Sequence, residues 1–410
     1  MKNPLPYSRN QIIVLLACVG VFALGQFHRA SGSVFTPILI DRFSLSAAAV
    51  SGLVSSMFFA TIVSQIPFGA VLDRIGPRIV LTWCVFLIAF GTAIFALNYT
   101  FELAFLSRIL IGIGLASMGA ATHIIIARNF DAGDFGYISG MVVTLGGIGG
   151  LLGTYPLAFA LERVPWVFVF GIVALVSVIL AFGIFAAVEP GTADADTNEE
   201  ASRTDGYFSL LGQSEFLKIL ALGVVTYAPI VTITGLWGGP YLQDIAKFSV
   251  EGAGAVLLLL FSSTIVAGYI FGVLDKKLRS RQRLILVSVG FSVFSLLALV
   301  LLDQPNAYLV VFLLAVMVFF QQFYIPLGAH MRKSVPDNIL GRASTLLSLV
   351  SVAAIPAMQL GFGAILDFSE RLGLNGEDQY KVAFATMAGL ILVCGTVYST
   401  SREANDNHVD

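Results

Sequence analysis

The chain has 410 residues, of which 57% are hydrophobic and only 12% are charged, and its formal net charge is −2. Soluble domains carry about 25% charged residues, so this composition excludes an ordinary soluble globular protein. The nearly balanced charge provides no electrostatic basis for binding nucleic acid.

The amino terminus and the cysteines narrow the class further. The first ten residues, MKNPLPYSRN, lead directly into an apolar stretch without a small-residue cleavage site, so we expect a retained signal anchor. The three cysteines, Cys18, Cys84 and Cys394, lie inside apolar runs and share no metal-ligand spacing. We therefore predict no disulfide framework, no metal site and no cofactor.

Twelve apolar stretches are long enough to cross a bilayer, which needs about 20 mainly apolar residues per helix. The sequence therefore predicts an all-α membrane protein. The predicted spans are Gln11–Leu39, Ala47–Leu72, Ile79–Leu97, Leu103–Ala127, Tyr137–Leu161, Trp166–Val188, Leu217–Tyr241, Ala253–Leu274, Leu284–Leu302, Ala307–Met331, Leu340–Leu366 and Val382–Thr400.

The basic residues predict how these spans are oriented. With both termini inside, sixteen of the 23 Lys and Arg residues fall in inner segments and five fall in outer loops. The remaining two, Arg29 and Arg108, lie within spans. Because basic residues are enriched on the cytoplasmic side, we predict a multi-pass plasma membrane protein, in a bacterial inner membrane, with both termini cytoplasmic.

A charged turn after the second span recurs after the eighth. The first copy reads FGAVLDRIGPR from Phe68, and the second reads FGVLDKKLR from Phe271. The offset between the two aspartates is 275 − 73 = 202, and an Arg pair and a Pro pair keep nearly the same spacing, 332 − 128 = 204 and 356 − 156 = 200. This internal duplication predicts two pseudo-symmetric six-helix bundles. The predicted domains are a first bundle at 1–188, a polar cytoplasmic linker at 189–214, a second bundle at 215–401 and a cytoplasmic tail at 402–410.

These features together resemble the major facilitator superfamily over essentially the whole chain. The family signature Gly-x-x-x-Asp-Arg/Lys-x-Gly-Arg/Lys-Arg/Lys is matched after span two, with Pro77 in place of one basic residue. Arg108 with Gly112 is similar to the family's Arg-x-x-x-Gly element of span four. The resemblance implies a secondary transporter whose halves rock about a central site by alternating access. It does not define the solute, because this fold carries many kinds.

In this family the signature contacts hold the cytoplasmic side closed while the site faces outward. The resemblance therefore implies gating and folding roles for both copies of the turn. The residues concerned are Gly69, Asp73, Arg74, Gly76, Arg78, Asp275 and Lys276. Trp237 and Tyr241 end span seven on the outer side. We predict that they form either an extracellular gate or an aromatic belt at the membrane interface.

Arg29 is the strongest candidate for contact with the solute. It lies ten residues from the outer end of span one, which is ~15 Å deep and near the bilayer centre. All Asp and Glu residues fall in loops or at span ends, so none is deep enough to neutralise it. Guanidinium pairs well with carboxylate or phosphate, so we predict a small anionic, carboxylate-bearing solute such as an organic acid or amino acid. The other interpretation is a buried Arg that holds carbonyl groups at a helix break.

The other candidates for solute contact are uncharged. Gln26 lies one turn further in than Arg29 on the same face. The resemblance implies that spans one, four, seven and ten line the cavity, and polar groups of spans seven and ten lie near mid-span. These are Tyr227, Gln321, Gln322 and Tyr324, each with an interhelical hydrogen bond as the alternative, whereas Gln65, Tyr155 and Gln359 lie off-centre and are predicted to be structural.

The coupling mode stays open between a proton and an exchanged counter-ion. Arg108, in the outer third of span four, is interpreted either as a binding or coupling residue or as a structural one. A proton carrier would have to be His28, His123, His330 or the acid group of the solute, and His28 is the first to test.

We predict a secondary active transporter and no enzymatic activity, because the sequence contains no nucleophile with a base and no nucleotide-binding loop. The alternatives are an exporter of drugs or siderophores and a membrane-embedded solute sensor of the same fold. The predicted partners are the solute, a coupling proton or counter-ion and the lipid bilayer, and a monomer suffices.

Overall fold

The computed structural model describes residues 7–97, 99–131, 133–190, 210–278, 280–303, 305–336 and 339–401. In this part of the chain all regular structure is helical, and twelve helical segments are long and apolar enough to cross a membrane. The predicted all-α, twelve-span architecture is therefore confirmed.

The helices are numbered here in chain order, and a five-residue π-helix (Ile233–Trp237) joins α11 to α12. They are α1 (Arg9–Ala30), α2 (Gly32–Phe43), α3 (Ala47–Ile75), α4 (Pro77–Leu97), α5 (Phe101–Leu115), α6 (Met118–Asn129), α7 (Phe135–Leu152), α8 (Tyr155–Arg163), α9 (Trp166–Ala187), α10 (Ser214–Gly223), α11 (Ala228–Thr232), α12 (Gly238–Asp244), α13 (Val250–Lys277), α14 (Arg281–Leu301), α15 (Ala307–Phe320), α16 (Tyr324–Ser334), α17 (Leu340–Arg371) and α18 (Gly376–Ser399).

The described residues form two compact units. Unit 1 comprises residues 7–44 and 52–190, and unit 2 comprises residues 45–51 and 210–401. Most of the predicted linker and all of the predicted tail beyond residue 401 lie outside the described residues. The predicted domain limits therefore stay a prediction.

Several helices begin at residues whose side chains cap the first turn. The side chains of Ser8, Thr100, Ser249, Asn306 and Asn375 each accept a hydrogen bond, 2.8 to 3.3 Å long, from the backbone N–H three residues later. These caps satisfy backbone donors that have no partner inside the helix. They explain why these helices begin close to the first residues of the apolar stretches.

Five of the twelve spans are interrupted near their middles. The first span, predicted as Gln11–Leu39, is two helices, α1 and α2, that meet at Ser31. The other interruptions lie at Ala116–Ser117 in span four, Gly153–Thr154 in span five, 224–227 in span seven and 321–323 in span ten. Non-helical backbone at membrane depth is tolerated only where it is buried in protein or lines a cavity.

Local hydrogen bonds keep the backbone paired at these interruptions. The Ser31 hydroxyl donates to the His28 carbonyl, which competes with the regular helix pattern. The N–H of Ala116 bonds to the Ile113 carbonyl at 3.2 Å, a tight turn of the 3₁₀ type. Each interruption therefore avoids leaving many polar groups unpaired in the bilayer.

A glycine contact and an aromatic cluster hold unit 1 together. A Cβ atom on Gly149 of α7 would lie only 1.8 Å from the Ala23 carbonyl oxygen of α1, so only glycine allows these helices to approach so closely. On the side predicted to be outer, four aromatic rings from α2, α4 and α9 contact one another with centroids 4.5 to 6.4 Å apart. We call this set, Phe35, Phe95, Trp166 and Phe170, the outer aromatic cluster.

Candidate solute-binding site

Unit 1 contains a cavity of about 350 Å³ formed by α1, α3 and the junction of α5 with α6. Its polar side chains are Arg29, Gln65 and Ser117, and none of the twelve residues that line it is acidic. The apolar lining comes from Phe22, Phe68, Leu72, Leu115 and Met118, and small residues complete it. This is the volume of a pocket for a small metabolite.

Arg29 lies in the last turn of α1, two residues before the interruption at Ser31. Its side chain is exposed within the fold and lines the cavity of unit 1. The side chain is therefore not buried, as the alternative of a structural arginine assumed, and both roles of Arg29 stay predictions. Gln26, predicted on the same face, is partly buried and does not line the cavity.

Two polar residues of the cavity were not predicted. Gln65 lies off-centre in its span and is predicted to be structural, but it lines the cavity, so its position along α3 does not determine what it faces. Ser117 lies at the interruption between α5 and α6, and its hydroxyl donates to the Cys84 sulfur at 2.9 Å. The local sequence signal for that interruption is the set of glycines around it, Gly112, Gly114 and Gly119, since no proline is nearby.

Arg108 lies away from the cavity and is 1% exposed. Its Cζ atom is 4.5 Å from the ring centroid of Phe35 and 3.9 Å from that of Phe95, both in the outer aromatic cluster. Such cation–π contacts contribute about 0.5–2 kcal/mol each, which offsets part of the several kcal/mol that burying a charge costs. Its Nε and Nη2 atoms have no hydrogen-bond partner among the described residues.

His28 is also buried and packs beside the same region. It is 1% exposed, and its Nε2 atom lies 3.3 Å from the Thr92 hydroxyl, one turn of α4 from Phe95. Its Nδ1 atom is buried without a partner among the described residues. The imidazole does not line the cavity, so a coupling role for His28 stays a prediction.

In unit 2, the predicted residues gather at the interruptions of spans seven and ten. The Tyr227 and Tyr324 rings are 5.1 Å apart, and both residues are partly buried, as is Gln322. Gln321 is fully buried, and its amide donates to the backbone carbonyl of Val225. Gln321 therefore ties one interruption to the other, and solute contact by these residues stays a prediction.

The end of span seven that is predicted to be outer is aromatic and buried. Trp237 stacks on Phe362 with centroids 5.7 Å apart, and Tyr241 contacts Tyr380 and Phe384. Trp237 is 2% and Tyr241 4% exposed, whereas a belt at the membrane interface requires exposed rings. The belt interpretation does not fit this burial, and the gate interpretation stays a prediction.

The two copies of the charged turn differ in their contacts. Asp73 and Arg74 are exposed, and the described residues give them no hydrogen bond or ion pair. Gly76 has a φ of 81°, which favours glycine, and Gly69 lines the cavity of unit 1.

Other residues of the turns make contacts within their own units. The Nε atom of Arg78 donates to the Phe185 carbonyl at 2.8 Å. In unit 2, Arg281 donates to both carboxylate oxygens of Asp275, at 2.7 and 3.4 Å. The side chain of Lys276 lies outside the described residues. The gating roles of both turns stay predictions.

Metal ligands are not clustered in the part of the chain that the structure describes, where no group of three or more His, Cys, Asp or Glu residues is placed to hold an ion. His330 is buried and hydrogen-bonded to the Tyr398 hydroxyl at 2.6 Å. His123 is exposed and lies midway along α6.

Comparison with protein families finds one model, described as Major Facilitator Superfamily, that matches residues 15–358. The riboflavin transporter RibZ of Clostridioides difficile (strain 630) is 21% identical over 175 residues, which cover 43% of this chain and 38% of that protein. The "Probable L-galactonate transporter" of Escherichia coli (strain K12) is 27% identical over 176 residues, covering 43% of this chain and 39% of that protein. The matches thus span less than half of either relative.

Among solved structures, a bacterial homolog of the human lysosomal transporter Spinster is similar over 96% of this chain and 97% of its own, with a TM-score of 0.77. The two sequences are 16% identical, so this likeness concerns the fold.

Proposed function

Because the chain belongs to the Major Facilitator Superfamily, we propose that it is a secondary transporter that moves a small acid-bearing solute across a membrane by alternating access. The multi-pass membrane architecture rests on the twelve apolar helices. We further propose that both termini are cytoplasmic in a bacterial inner membrane, on the basis of the sixteen inner and five outer basic residues.

The observation that carries the acid-bearing solute is the exposed side chain of Arg29 in a cavity without an acidic lining residue. An ionisable residue at membrane depth is expensive, so it is a marker of a solute path. A guanidinium group binds a carboxylate or phosphate through two parallel hydrogen bonds, and this geometry favours a planar acid group. Arg29 is therefore the proposed ligand of the acid group.

The other cavity groups fit the uncharged part of a small solute. Gln65 and Ser117 line the same cavity as Arg29 and supply hydrogen-bond donors and acceptors, and the rest of the lining is apolar. A volume of about 350 Å³ suits a metabolite of modest size rather than a large drug. A sugar acid has this combination of one carboxylate and several hydroxyl groups, and the name of the L-galactonate relative supports this class.

Unit 2 contributes uncharged candidates to the same proposal. Tyr227, Gln322 and Tyr324 are partly buried at the interruptions of spans seven and ten, where we propose that they contact the solute during the cycle. Gln321, being fully buried, is assigned to positioning the interruption. Coupling by a proton or by anion exchange is not assigned, because neither His28 nor any acidic residue lines the cavity.

The test measures thermal stabilisation of the purified protein by matched pairs of compounds that differ only in the acid group, such as an aldonic acid and its alditol. A ligand at 100 times its dissociation constant should add ~2.7 kcal/mol. We expect only the acid member to stabilise the wild type, and Arg29→Ala to lose this response. Arg42→Ala is the matched control, because Arg42 lies in the last turn of α2, beyond the end of the predicted first span, and outside the cavity.

Equal stabilisation by both members, retained in Arg29→Ala, would reject the acid-bearing solute. Uptake of the stabilising compound into proteoliposomes then tests transport itself. A compound that binds but is not moved down its gradient would instead favour a sensor of the same fold.

A second candidate is an exporter of larger planar compounds, and the Tyr227–Tyr324 ring pair of unit 2 favours it. Aromatic rings stack on planar ligands, and the relative named as a riboflavin transporter fits such a ligand. Under this alternative, riboflavin would stabilise wild type and Arg29→Ala equally, while Tyr227→Ala would lose the response.

A further inference from the structure

The outer half of unit 1 buries a cation that is not part of the cavity. Arg108 is 1% exposed, and none of the ion pairs found among the described residues includes it. Its Nε and Nη2 atoms are buried and have no hydrogen-bond partner in the part of the chain that the structure describes. A buried charge is stable only when it is paired or fully hydrogen-bonded, so this guanidinium needs a further partner.

The surroundings define what that partner can be. The rings of Phe35 and Phe95 lie 4.5 and 3.9 Å from the Arg108 Cζ atom, and they contact each other at 5.2 Å. Rings interact with the guanidinium through their faces, so they leave its N–H edges available for an acceptor. Because Arg108 is 1% exposed, its partner must also be buried, which favours a monatomic ion over an organic acid.

A further buried polar atom lies beside Phe35 in the chain. The Oγ1 atom of Thr36, which follows Phe35, is fully buried without a partner among the described residues. A hydroxyl group can donate a hydrogen bond to a negative ion, so Thr36 is compatible with an anion in this region. His28 is not counted as a donor, because the Thr92 hydroxyl donates to the Ile88 carbonyl and accepts from Nε2–H of His28, which leaves Nδ1 of the neutral imidazole as an acceptor.

From this geometry we infer that Arg108 and its aromatic neighbours form a buried site for a small inorganic monoanion of the halide class, separate from the solute cavity at Arg29. The ion neutralises the guanidinium and accepts hydrogen bonds from its free N–H groups. It thereby stabilises the outer half of unit 1. This inference does not depend on the identity of the transported solute.

Trp166 provides a direct probe, because its ring lies 5.0 Å from Phe95 and 6.2 Å from Phe35. Iodide quenches tryptophan fluorescence at short range, so a bound iodide should quench Trp166 in a saturable manner. The chain has three tryptophans. The probe protein carries Trp83→Phe and Trp237→Phe, and the control protein carries Trp166→Phe alone.

We expect saturable quenching in the probe protein, reversed by chloride, and only linear quenching in the control. Gluconate and sulfate at equal ionic strength should not reverse it. The inference is overturned if quenching is linear in both proteins, or if gluconate reverses it as well as chloride does, because the site would then be open to organic acids.

Thermal unfolding of otherwise wild-type protein provides a second measurement. Replacing sodium methanesulfonate, which is not a sugar acid, with sodium chloride should raise the melting temperature of the wild type with saturation. Arg108→Gln should lose at least nine-tenths of that shift, and Arg29→Gln, the matched control in the cavity, should retain it. An equal chloride shift in all three proteins, or none in the wild type, would reject the site. If Arg108→Gln does not fold, the fluorescence experiment, in which Arg108 is intact, decides whether the anion site exists.

Discussion

Units 1 and 2 share the position of a helix interruption but differ in the polar side chains that they place in their spans. The interruption of span four at Ser117 and that of span ten at Gln321 differ by 321 − 117 = 204 residues, which is the spacing of the repeated sequence landmarks. Yet the described interior of unit 1 contains two arginines, Arg29 and Arg108, within its spans, whereas that of unit 2 has tyrosines, glutamines and Trp237. The repeat thus fits this pair of interruptions, whereas the interruption of span five at Gly153 has no counterpart in the continuous helix α17, and each half has its own side chains at the breaks.

The charged turns show the same divergence. Asp275 accepts two hydrogen bonds from Arg281, while Asp73 is exposed without such a bond among the described residues. A similar sequence pattern can therefore have a local structural role in one half and a different role in the other. We infer that unit 1 selects the charge of the solute and that unit 2 contributes uncharged contacts.

The largest expected effect, the loss of solute binding on substitution of Arg29, tests this division of roles between the two units. Arg29→Ala should weaken binding of the acid-bearing solute by about 10- to 100-fold, because a hydrogen-bonded charged group contributes about 1.5–3 kcal/mol. Gln322→Ala in unit 2 should weaken binding by about 10-fold or less, since it removes a neutral group. Titration calorimetry of both variants measures the two losses. A larger loss for Gln322→Ala would place the selective contact in unit 2.

The second effect concerns the interruptions themselves. Gln321→Leu should lower the free energy of unfolding by about 1–3 kcal/mol, because it leaves the buried carbonyl of Val225 without its donor. Ser117→Ala should cost less than about 1 kcal/mol, since its hydroxyl bonds only to a sulfur. Urea unfolding in detergent compares the two. Equal costs would mean that both interruptions are held in the same way.

The third expected effect is a difference in stability between substitutions in the two copies of the charged turn. Asp275→Asn should lower the free energy of unfolding by about 1 kcal/mol, because it weakens a partly buried, two-point contact with Arg281. Asp73→Asn should change it by less than about 0.5 kcal/mol, as at other exposed positions. If Asp73→Asn lowers the transport rate at unchanged stability, its predicted gating role is supported. If it lowers neither, that role is rejected.

The smallest expected effect concerns the ion pair between Lys381 and Asp303 in unit 2. The Lys381 ammonium donates to Asp303 and holds the pKa of that carboxyl below its usual range. A lowered folded-state pKa contributes stability above the unfolded value of about 3.9, and this contribution is lost as pH falls through the folded-state pKa. The wild type should therefore melt slightly above Asp303→Asn at pH 6 and equal to it near pH 2. A difference that grows at low pH would contradict this sign.

Local properties of the chain were sufficient for the family and the twelve spans. Apolar length and the spacing of the charged turn can be read from neighbouring residues, because a bilayer imposes the same length on every helix. The predicted family is confirmed by the match over residues 15–358. The capped helix starts, such as Asn306 before Ala307, also follow from short segments of sequence.

Only the tertiary structure decided which polar residues face open space. Gln65, predicted to be structural, lines the cavity, whereas Gln321, predicted to contact the solute, is fully buried against a backbone carbonyl. Position along a span sets the depth of a residue, but its exposure depends on which helices pack around it. For the same reason the aromatic surroundings of Arg108 could not be predicted, since Phe35 and Phe95 come from helices distant in sequence.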